Sequence, residues 1–365
     1  MIFLIPITLL YGIFAVTGLY TIWSKKVVIR PLELPQGISI IVACKDEAHN
    51  LGRLLQSLLA QKISCQLEFI FIDDYSTDST FEKLHQWQFN DSRVRVLRNN
   101  KQGKKSAINL GVQNATYEYI IQTDADCEVG EFWLLSMINR MLSGKSDLVL
   151  GPVYPFKRNT ILNGFIRLEW LAMQFMTALT ARLKRPGMAN GASMMFKKED
   201  YLSFYSSDFG KRFASGDDMF FLRFLQKKRK SIGFNFDKQA IVKTEMPFNL
   251  KGLFHQRVRW ATKASKTTNA LTYFFTLIVA LANFVWIGAL YSVFDDIINL
   301  PILIIAVCWK LVADFVIAWN MARFYNDTGV LKYVPLMFLI YPFYLLLGLV
   351  FSFKRNYRWK GREVV

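Results

Sequence analysis

Carboxylates recur in this chain where apolar runs of strand type come to an end. Asp124 and Asp126, spaced i, i+2, follow Tyr119-Ile120-Ile121-Gln122. Such an edge is where open α/β sheets bind ligands. On an extended segment the two side chains point to one side, so they can converge on one cation, or on one cation and a ribose. Oxygen ligands of this kind suit Mg2+ or Mn2+, which bridge protein carboxylates to substrate phosphates. A solvated turn would show the same D-x-D spacing, so the surroundings decide. Asp73 and Asp74 likewise end Leu67-Glu68-Phe69-Ile70-Phe71-Ile72 and run into Tyr75-Ser76-Thr77-Asp78. Ser76, Thr77 or Asp78 would serve as a helix cap. Capping does not account for adjacent carboxylates, whose repulsion calls for a cation, donors or solvent. Asp217 and Asp218 open a helical pattern through Phe220, Phe221, Phe224 and Leu225. Acids at a helix start also suit its dipole, so a structural origin is open to that pair.

Basic and amide groups complete the set. Gly103-Lys104-Lys105 opens a helix after Val94-Arg95-Val96-Leu97, an arrangement that suits a phosphate. It is not a P-loop, which would need Gly at 98 and Ser or Thr at 105, where the chain has Arg98 and Lys105. No G-x-G-x-x-G follows the first strand, which speaks against a dinucleotide-dependent oxidoreductase. On a helix, Gln256, Arg259 and Trp260 share a face. There a guanidinium and an amide can grip an anion beside an aromatic plate. A basic juxtamembrane helix, helped by Lys251, Arg257, Lys263 and Lys266, is the plainer origin of the same stretch. Cys44, Cys65, Cys127 and Cys308 show no C-x-x-C spacing and His49, His85 and His255 are scattered, so neither a zinc site nor a disulfide framework is expected.

The elements that would position these residues alternate. Ile38 to Ala43 reads as a buried strand, followed by a helix through Leu51, Leu54, Leu55, Leu58 and Leu59. Further strands are expected at Leu67 to Ile72, Val94 to Leu97, Tyr119 to Gln122, Asp147 to Leu150, Met194 to Phe196 and Ile241 to Glu245, with a helix near Glu131 to Leu142. Repeated β–α order means a mainly parallel sheet. Ile161 to Arg185, interrupted by Arg167, Glu169 and Arg182, reads as an amphipathic helix that packs in a core or lies on a membrane surface.

The chain is 52% hydrophobic and 20% charged over 365 residues, with a mean hydropathy of +0.20. That balance implies a soluble part joined to membrane segments. Met1 to Trp23 is long and apolar enough to span, and Lys25, Lys26 and Arg30 follow it. A cleavable signal peptide would need a basic start and a small-x-small end, so a retained anchor with its C-terminal end in the cytoplasm is expected. The expected organisation is an anchor at 1–23, a linker at 24–35, a cytoplasmic domain at 36–266, about three membrane segments within 271–353 and a basic tail at 354–365. Of these segments, the one holding Lys310 and Asp314 reads as the weakest span: either the i, i+4 pair offsets its cost or the segment lies partly in the interface. The basic tail conflicts with four simple crossings, so charge alone does not fix the topology. The net charge of +17 suits anionic headgroups and an anionic substrate. No recognition motif for nucleic acid is present.

Taken in order, these stretches resemble the family-two inverting glycosyltransferases with a GT-A domain. The resemblance is to the membrane-anchored branch that includes cellulose, chitin, hyaluronan and poly-N-acetylglucosamine synthases and ceramide glucosyltransferases. It covers roughly residues 36–262. Val42-Ala43-Cys44-Lys45-Asp46-Glu47 looks like the opening strand and loop, Asp73 to Asp78 like D-D-G-S-T-D, Asp124-Ala125-Asp126 like D-x-D, and Gln256 to Trp260 like Q-x-x-R-W. Tyr75 stands where the family usually has Gly, and Asp217-Asp218 where it often has Glu-Asp. The resemblance implies a Rossmann-like GT-A sheet with flanking helices, plus transmembrane helices. It implies nucleotide contacts for Ala43, Glu47, Asp73, Asp74, Lys104 and Asp124. Asp126, with Asp124, would hold Mg2+ or Mn2+, and Asp218 would be the general base with Asp217 in support. Gln256, Arg259 and Trp260 would hold the diphosphate and the acceptor, and Asn190 and Gly191 would line the acceptor side. The function so implied is inverting transfer from a UDP-sugar to a lipid-linked or growing polysaccharide acceptor, at the cytoplasmic face of a bacterial inner membrane. A non-catalytic, sugar-binding or scaffold protein of the same fold is the alternative.

Overall fold

Continuous Val, Ile and Phe runs favour strands covered on both faces, and the computed structural model places them so. It describes residues 4–23, 33–210, 216–295, 297–352, 357–359 and 362–364. The expected linker as far as residue 32, Ser215, and Lys354, Arg355 and Lys360 of the basic tail lie outside the described residues. In order the elements are α1 (Leu4–Trp23), β1 (Gly37–Cys44), α2 (Leu51–Leu59), β2 (Gln66–Asp73), α3 (Thr80–Asn90), β3 (Val94–Arg98), α4 (Lys104–Asn114), β4 (Tyr119–Asp124) and β5 (Glu128–Val129). There follow α5 (Trp133–Ser143), β6 (Leu148–Leu150), β7 (Val153–Pro155), α6 (Ile161–Arg182), β8 (Met194–Lys197), α7 (Lys198–Ser206), α8 (Asp217–Lys227), β9 (Ile232–Phe234) and β10 (Val242–Thr244). The long helices α9 (Leu250–Thr267), α10 (Ala270–Asp295), α11 (Leu300–Phe324) and α12 (Val334–Ser352) follow, and a short antiparallel pair, β11 (Tyr357–Trp359) and β12 (Arg362–Val364), comes last.

The chain divides into two compact units, one of Val27–Phe156 with Met188–Glu245, the other of Met1–Lys26, Lys157–Gly187 and Met246–Val365. In the first, a seven-stranded sheet runs β3-β2-β1-β4-β8-β6-β9. Strands β3, β2, β1 and β4 are mutually parallel, and β8 is antiparallel to both of its neighbours. The chain moves outward from β1 through β2 to β3 and returns to β4 on the other flank. The C-terminal ends of β1 and β4 therefore form a topological switch point, where such sheets bind ligands. A small sheet, β5-β10-β7, adjoins this edge in sequence.

The second unit is helical. Ile5–Trp23, Ala270–Gly288, Leu300–Phe324 and Thr328–Leu347 are long and apolar enough to cross a membrane. The segment with Lys310 and Asp314 has the highest mean hydropathy of the four, 2.3, against the expectation that it is the weakest. Its charges pair with each other, and Tyr11 of α1 donates a hydrogen bond to Asp314 Oδ1 at 2.6 Å. Helix α6 is a core helix, with Ile166, Leu168, Trp170, Leu171, Phe175, Ala178 and Leu179 buried. The core it joins is that of the apolar helices. Its charges are matched there, Arg167 by Asp327 and Glu169 by Arg257.

Candidate active site

Parallel pairing aligns the sequence's acidic strand ends. Cys44 is opposite Asp73, and Ala43, half-buried, is opposite Asp124. The loops after β1 and β2 are then laced together. Asp46 N donates to Ser76 Oγ at 3.1 Å, Thr77 N to Asp46 Oδ1 at 2.7 Å, Glu47 N to Thr80 Oγ1 at 2.8 Å and Ala48 N to Asp78 Oδ2 at 3.2 Å. Of the residues read as a possible cap, Ser76 and Thr77 bind the neighbouring loop, while Asp78 does both, since its Oδ1 also accepts from Thr80 N at 3.0 Å. Tyr75 sits at φ 59°, in the left-handed region that favours glycine. The backbone conformation of a D-D-G turn is thus kept although the side chain is not.

Asp73 and Asp74 differ in what they do. Asp74 Oδ1 accepts from Gly103 N and Asn99 Nδ2, both at 2.8 Å, and so fixes the loop that starts α4. Asp73 is 6% exposed; its Oδ2 accepts from Ser76 N at 3.4 Å, while its Oδ1 is buried without a partner among the described residues. A buried acceptor of that kind calls for a donor from elsewhere.

Lys104, the first residue of α4, reaches across to Asp124 with Nζ 2.5 Å from Oδ1. Burial works to lower its pKa, but the charges of Asp124, Asp217 and Asp218 and the hydrogen bond to Asp124 prevail and hold it above its ordinary value. One ammonium therefore stands among carboxylates from β4 and α8. Asp218 is half-buried at the start of α8; its Oδ1 accepts from Met219 N at 2.8 Å and its Oδ2 from Gly191 N at 3.3 Å. Asp217, beside it, is buried. Asn190 turns its own loop, its Oδ1 accepting from Ala192 N at 3.0 Å. A Cβ at Gly191 would lie 2.6 Å from Gln122 Nε2 and 3.7 Å from Lys104 Nζ, so a side chain here would have to displace the Gln122 amide at the end of β4. Asp124, Lys104, Gly191 and Asp218 are thus brought together.

The D-x-D pair is arranged otherwise than an extended segment would give. Cys127 N donates to Asp124 O at 3.2 Å, so the chain turns at 125–126 and Asp126 leaves the face of β4. Thr244 Oγ1 and Cys127 Sγ approach its Oδ1 at 3.4 Å and 3.7 Å. Burial, with Asp126 and Asp124 beside it, pushes the Cys127 thiol well above its ordinary pKa. The donors on offer are hard oxygens, the set that Mg2+ and Mn2+ take. Among the described residues no group of three or more His, Cys, Asp and Glu forms a cage.

In the helical unit, α9 is continuous from Leu250 to Thr267, so Gln256, Arg259 and Trp260 do share a helix face. Gln256 Oε1 accepts from Arg257 at 2.8 Å, and Trp260 meets Trp170 with ring centroids 5.6 Å apart. Arg257, read from the sequence only as a basic neighbour, is the hub. It pairs with Glu169, donates to Tyr344 Oη at 2.9 Å and lies 4.3 Å over the Trp260 ring. Arg53, Asn50, Gln122 and Thr244 were also not singled out by sequence. Arg53, Asn50 and Thr244 act through contacts more than two residues away, Gln122 lies under the Gly191 loop, and none lies in a spaced pattern.

Residues 39–202 match the model of the family described as Glycosyl transferase family 2. The chain is 29% identical over 251 residues to a poly-beta-1,6-N-acetyl-D-glucosamine synthase of Staphylococcus aureus (strain COL), covering 65% of this chain and 57% of that protein. It is 23% identical over 276 residues to the protein of the same name from Staphylococcus epidermidis, covering 69% and 63%. The chain thus spans less than two thirds of the length of these relatives. It superposes on a mannosyltransferase from Pyrobaculum calidifontis, solved in complex with GDP-Man and Mn2+, with a TM-score of 0.51 and 17% identity over 96% of this chain and 99% of that one, a likeness of fold.

Proposed function

We propose that this chain, whose residues 39–202 match the Glycosyl transferase family 2 model and whose fold is like that of a solved mannosyltransferase, moves a sugar from a UDP-sugar to a hydroxyl of a lipid-linked or growing polysaccharide acceptor. The observation that carries the reading is the meeting of Lys104, Asp124 and the Gly191-held Asp218 at the switch point of the sheet. Displacing a nucleoside diphosphate from an anomeric carbon builds negative charge on the leaving group and requires a proton to leave the acceptor. Lys104 supplies a fixed positive charge for the first requirement. Asp218 supplies a base for the second, its carboxylate oriented by the backbone donors of Met219 and Gly191. The partnerless Oδ1 of Asp73 suits an N–H of the base. Attack from the face opposite the leaving group inverts the anomeric centre.

Asp126, with Asp124, would hold a divalent ion. With no third protein carboxylate in reach among the described residues, phosphate oxygens of the donor would fill its shell. A bound Mg2+ or Mn2+ supplies charge stabilisation to the departing diphosphate. To Gln256, Arg259 and Trp260 we assign contacts with diphosphate and acceptor, on the Q-x-x-R-W resemblance. The names of the relatives support a polysaccharide acceptor. The basic residues after α1 support a catalytic unit on the cytoplasmic side.

The test is to incubate the full-length protein, in detergent or nanodiscs, with a panel of nucleotide sugars and membrane-lipid extract, reading products by mass spectrometry. The reading expects UDP release from one UDP-sugar, a glycosylated product, and arrest by EDTA that Mg2+ or Mn2+ reverses. Absence of nucleotide binding and of transfer across the panel would contradict it.

A further inference from the structure

Arg53 lies outside every motif of the sequence, yet separate loops of the α/β unit meet on it. Its guanidinium donates to Asn50 Oδ1 at 3.0 Å and to the main-chain carbonyl of Asp126 at 3.1 Å. It pairs with Glu245 at 3.2 Å, just past β10, and lies 4.2 Å over the ring of Phe156. Asn50, itself buried, donates to Glu47 Oε2 at 2.7 Å. A chain of hydrogen bonds therefore runs from the loop after β1, through α2, to the turn that carries Asp126 and to the end of β10. Thr244, beside Glu245, contacts the Asp126 carboxylate from the same strand. A planar guanidinium holds several acceptors at fixed angles, which an ammonium cannot do.

We propose that Arg53 is a positioning residue for divalent-cation binding, holding the Asp126 turn against the end of β10 and coupling that turn to the Glu47 loop. The inference rests on the reading of Asp126 as an ion ligand. The turn is already closed by its own Cys127-to-Asp124 hydrogen bond. What Arg53 adds is the direction in which the turn presents its middle residue. Residues that orient a metal ligand without touching the ion change affinity by roughly 10- to 100-fold when replaced.

The experiment titrates Mn2+ into the full-length protein with UDP present and reads free Mn2+ by electron paramagnetic resonance. UDP affinity without metal and the melting midpoint are measured on the same samples. Arg53→Gln is expected to weaken Mn2+ binding at least about ten-fold, with metal-free UDP affinity and melting close to wild type. Arg53→Lys should fall between, because a point charge keeps the Glu245 pair but not the fork, and it carries the comparison if Arg53→Gln does not fold. Wild-type Mn2+ affinity in both variants would overturn the proposal. So would an equal loss of metal-free UDP binding, which marks a general stitch. If wild-type protein binds UDP but no Mn2+, the ion reading of Asp126 fails and the inference goes with it; if it binds neither, the proposed function fails as well.

Discussion

Glu68 and Asp73 stand near opposite ends of one strand, β2, and the fold treats them in opposite ways. Glu68 is buried and accepts from Ser39 Oγ at 2.5 Å, from Thr116 N and Oγ1 at 2.5 Å and 3.0 Å, and from Arg95 at 3.3 Å. Burial raises its pKa, but these donors outweigh burial and hold it below the ordinary value of 4.5. Asp73 is buried as deeply, yet one of its oxygens has no partner among the described residues. A fold that can saturate one buried carboxylate leaves the other incomplete, and it does so at the sheet edge where ligands bind. Buried polar groups are almost always paired, so the contrast is consistent with a structural role for Glu68 and with the nucleotide contact proposed for Asp73.

Substitutions at the site and at the structural carboxylate should part in their effects. Asp126→Asn should abolish transfer, a loss of at least about 100-fold, because a neutral amide is a poor ligand for a hard divalent ion. Undiminished turnover in that variant, read as UDP released over time, would put the ion elsewhere. Next, Glu68→Gln should cost about 1 to 3 kcal/mol of stability by removing charge-assisted hydrogen bonds, leaving nucleotide binding as it was. Because the folded pKa of Glu68 is depressed, its contribution is complete above about pH 4.5 and is lost as pH falls through the folded value. Melting curves between pH 3 and pH 7 should therefore show a shallower acid decline in Glu68→Gln than in wild type.

Asp73→Asn should do the reverse. We expect UDP affinity to fall about ten-fold, the equivalent of one lost hydrogen bond to a buried group, with the melting midpoint held, and calorimetry beside a melting curve reads both. An unchanged affinity with a lowered midpoint would make Asp73 a second Glu68. The smallest effect concerns Tyr75. Its left-handed backbone stores roughly 1 kcal/mol that glycine would release, against the extra freedom glycine gives the unfolded chain. Tyr75→Gly should melt at or slightly above the wild-type midpoint, and a clear drop would show that the half-exposed ring is doing structural work.

Much of this was legible in the sequence, because strands covered on both faces need uninterrupted apolar runs. Those runs end where β1, β2, β3 and β4 end, within two residues. The helix carrying Gln256, Arg259 and Trp260 was also readable from its spacing. What spacing could not supply is contact across the chain. Thr77 binds Asp46 and Arg53 binds Glu245 only once β1, β2 and β10 have brought them together. The period-two argument for Asp124 and Asp126 failed because a turn interrupts the strand between them. For helix α6 the sequence leaves core packing and a membrane surface both open, since Arg167 and Glu169 look polar until Asp327 and Arg257 are placed beside them.

Asp218, proposed as the base, also stands at a helix start, where a simple structural role competes with catalysis. That role is worth a few tenths to about 1 kcal/mol, whereas general-base catalysis is worth roughly 10²- to 10⁴-fold in rate. The direct measurement is single-turnover sugar transfer by Asp218→Asn and Asp217→Asn beside wild type, with UDP-sugar binding measured on the same preparations. An asparagine at 218 keeps one acceptor oxygen, enough for the closer bond from Met219 N while the 3.3 Å bond from Gly191 N is lost, so we expect a folded variant that binds donor and transfers at least about 100-fold more slowly, with a milder loss at 217. Near wild-type transfer in Asp218→Asn, or a greater loss in Asp217→Asn, would contradict it.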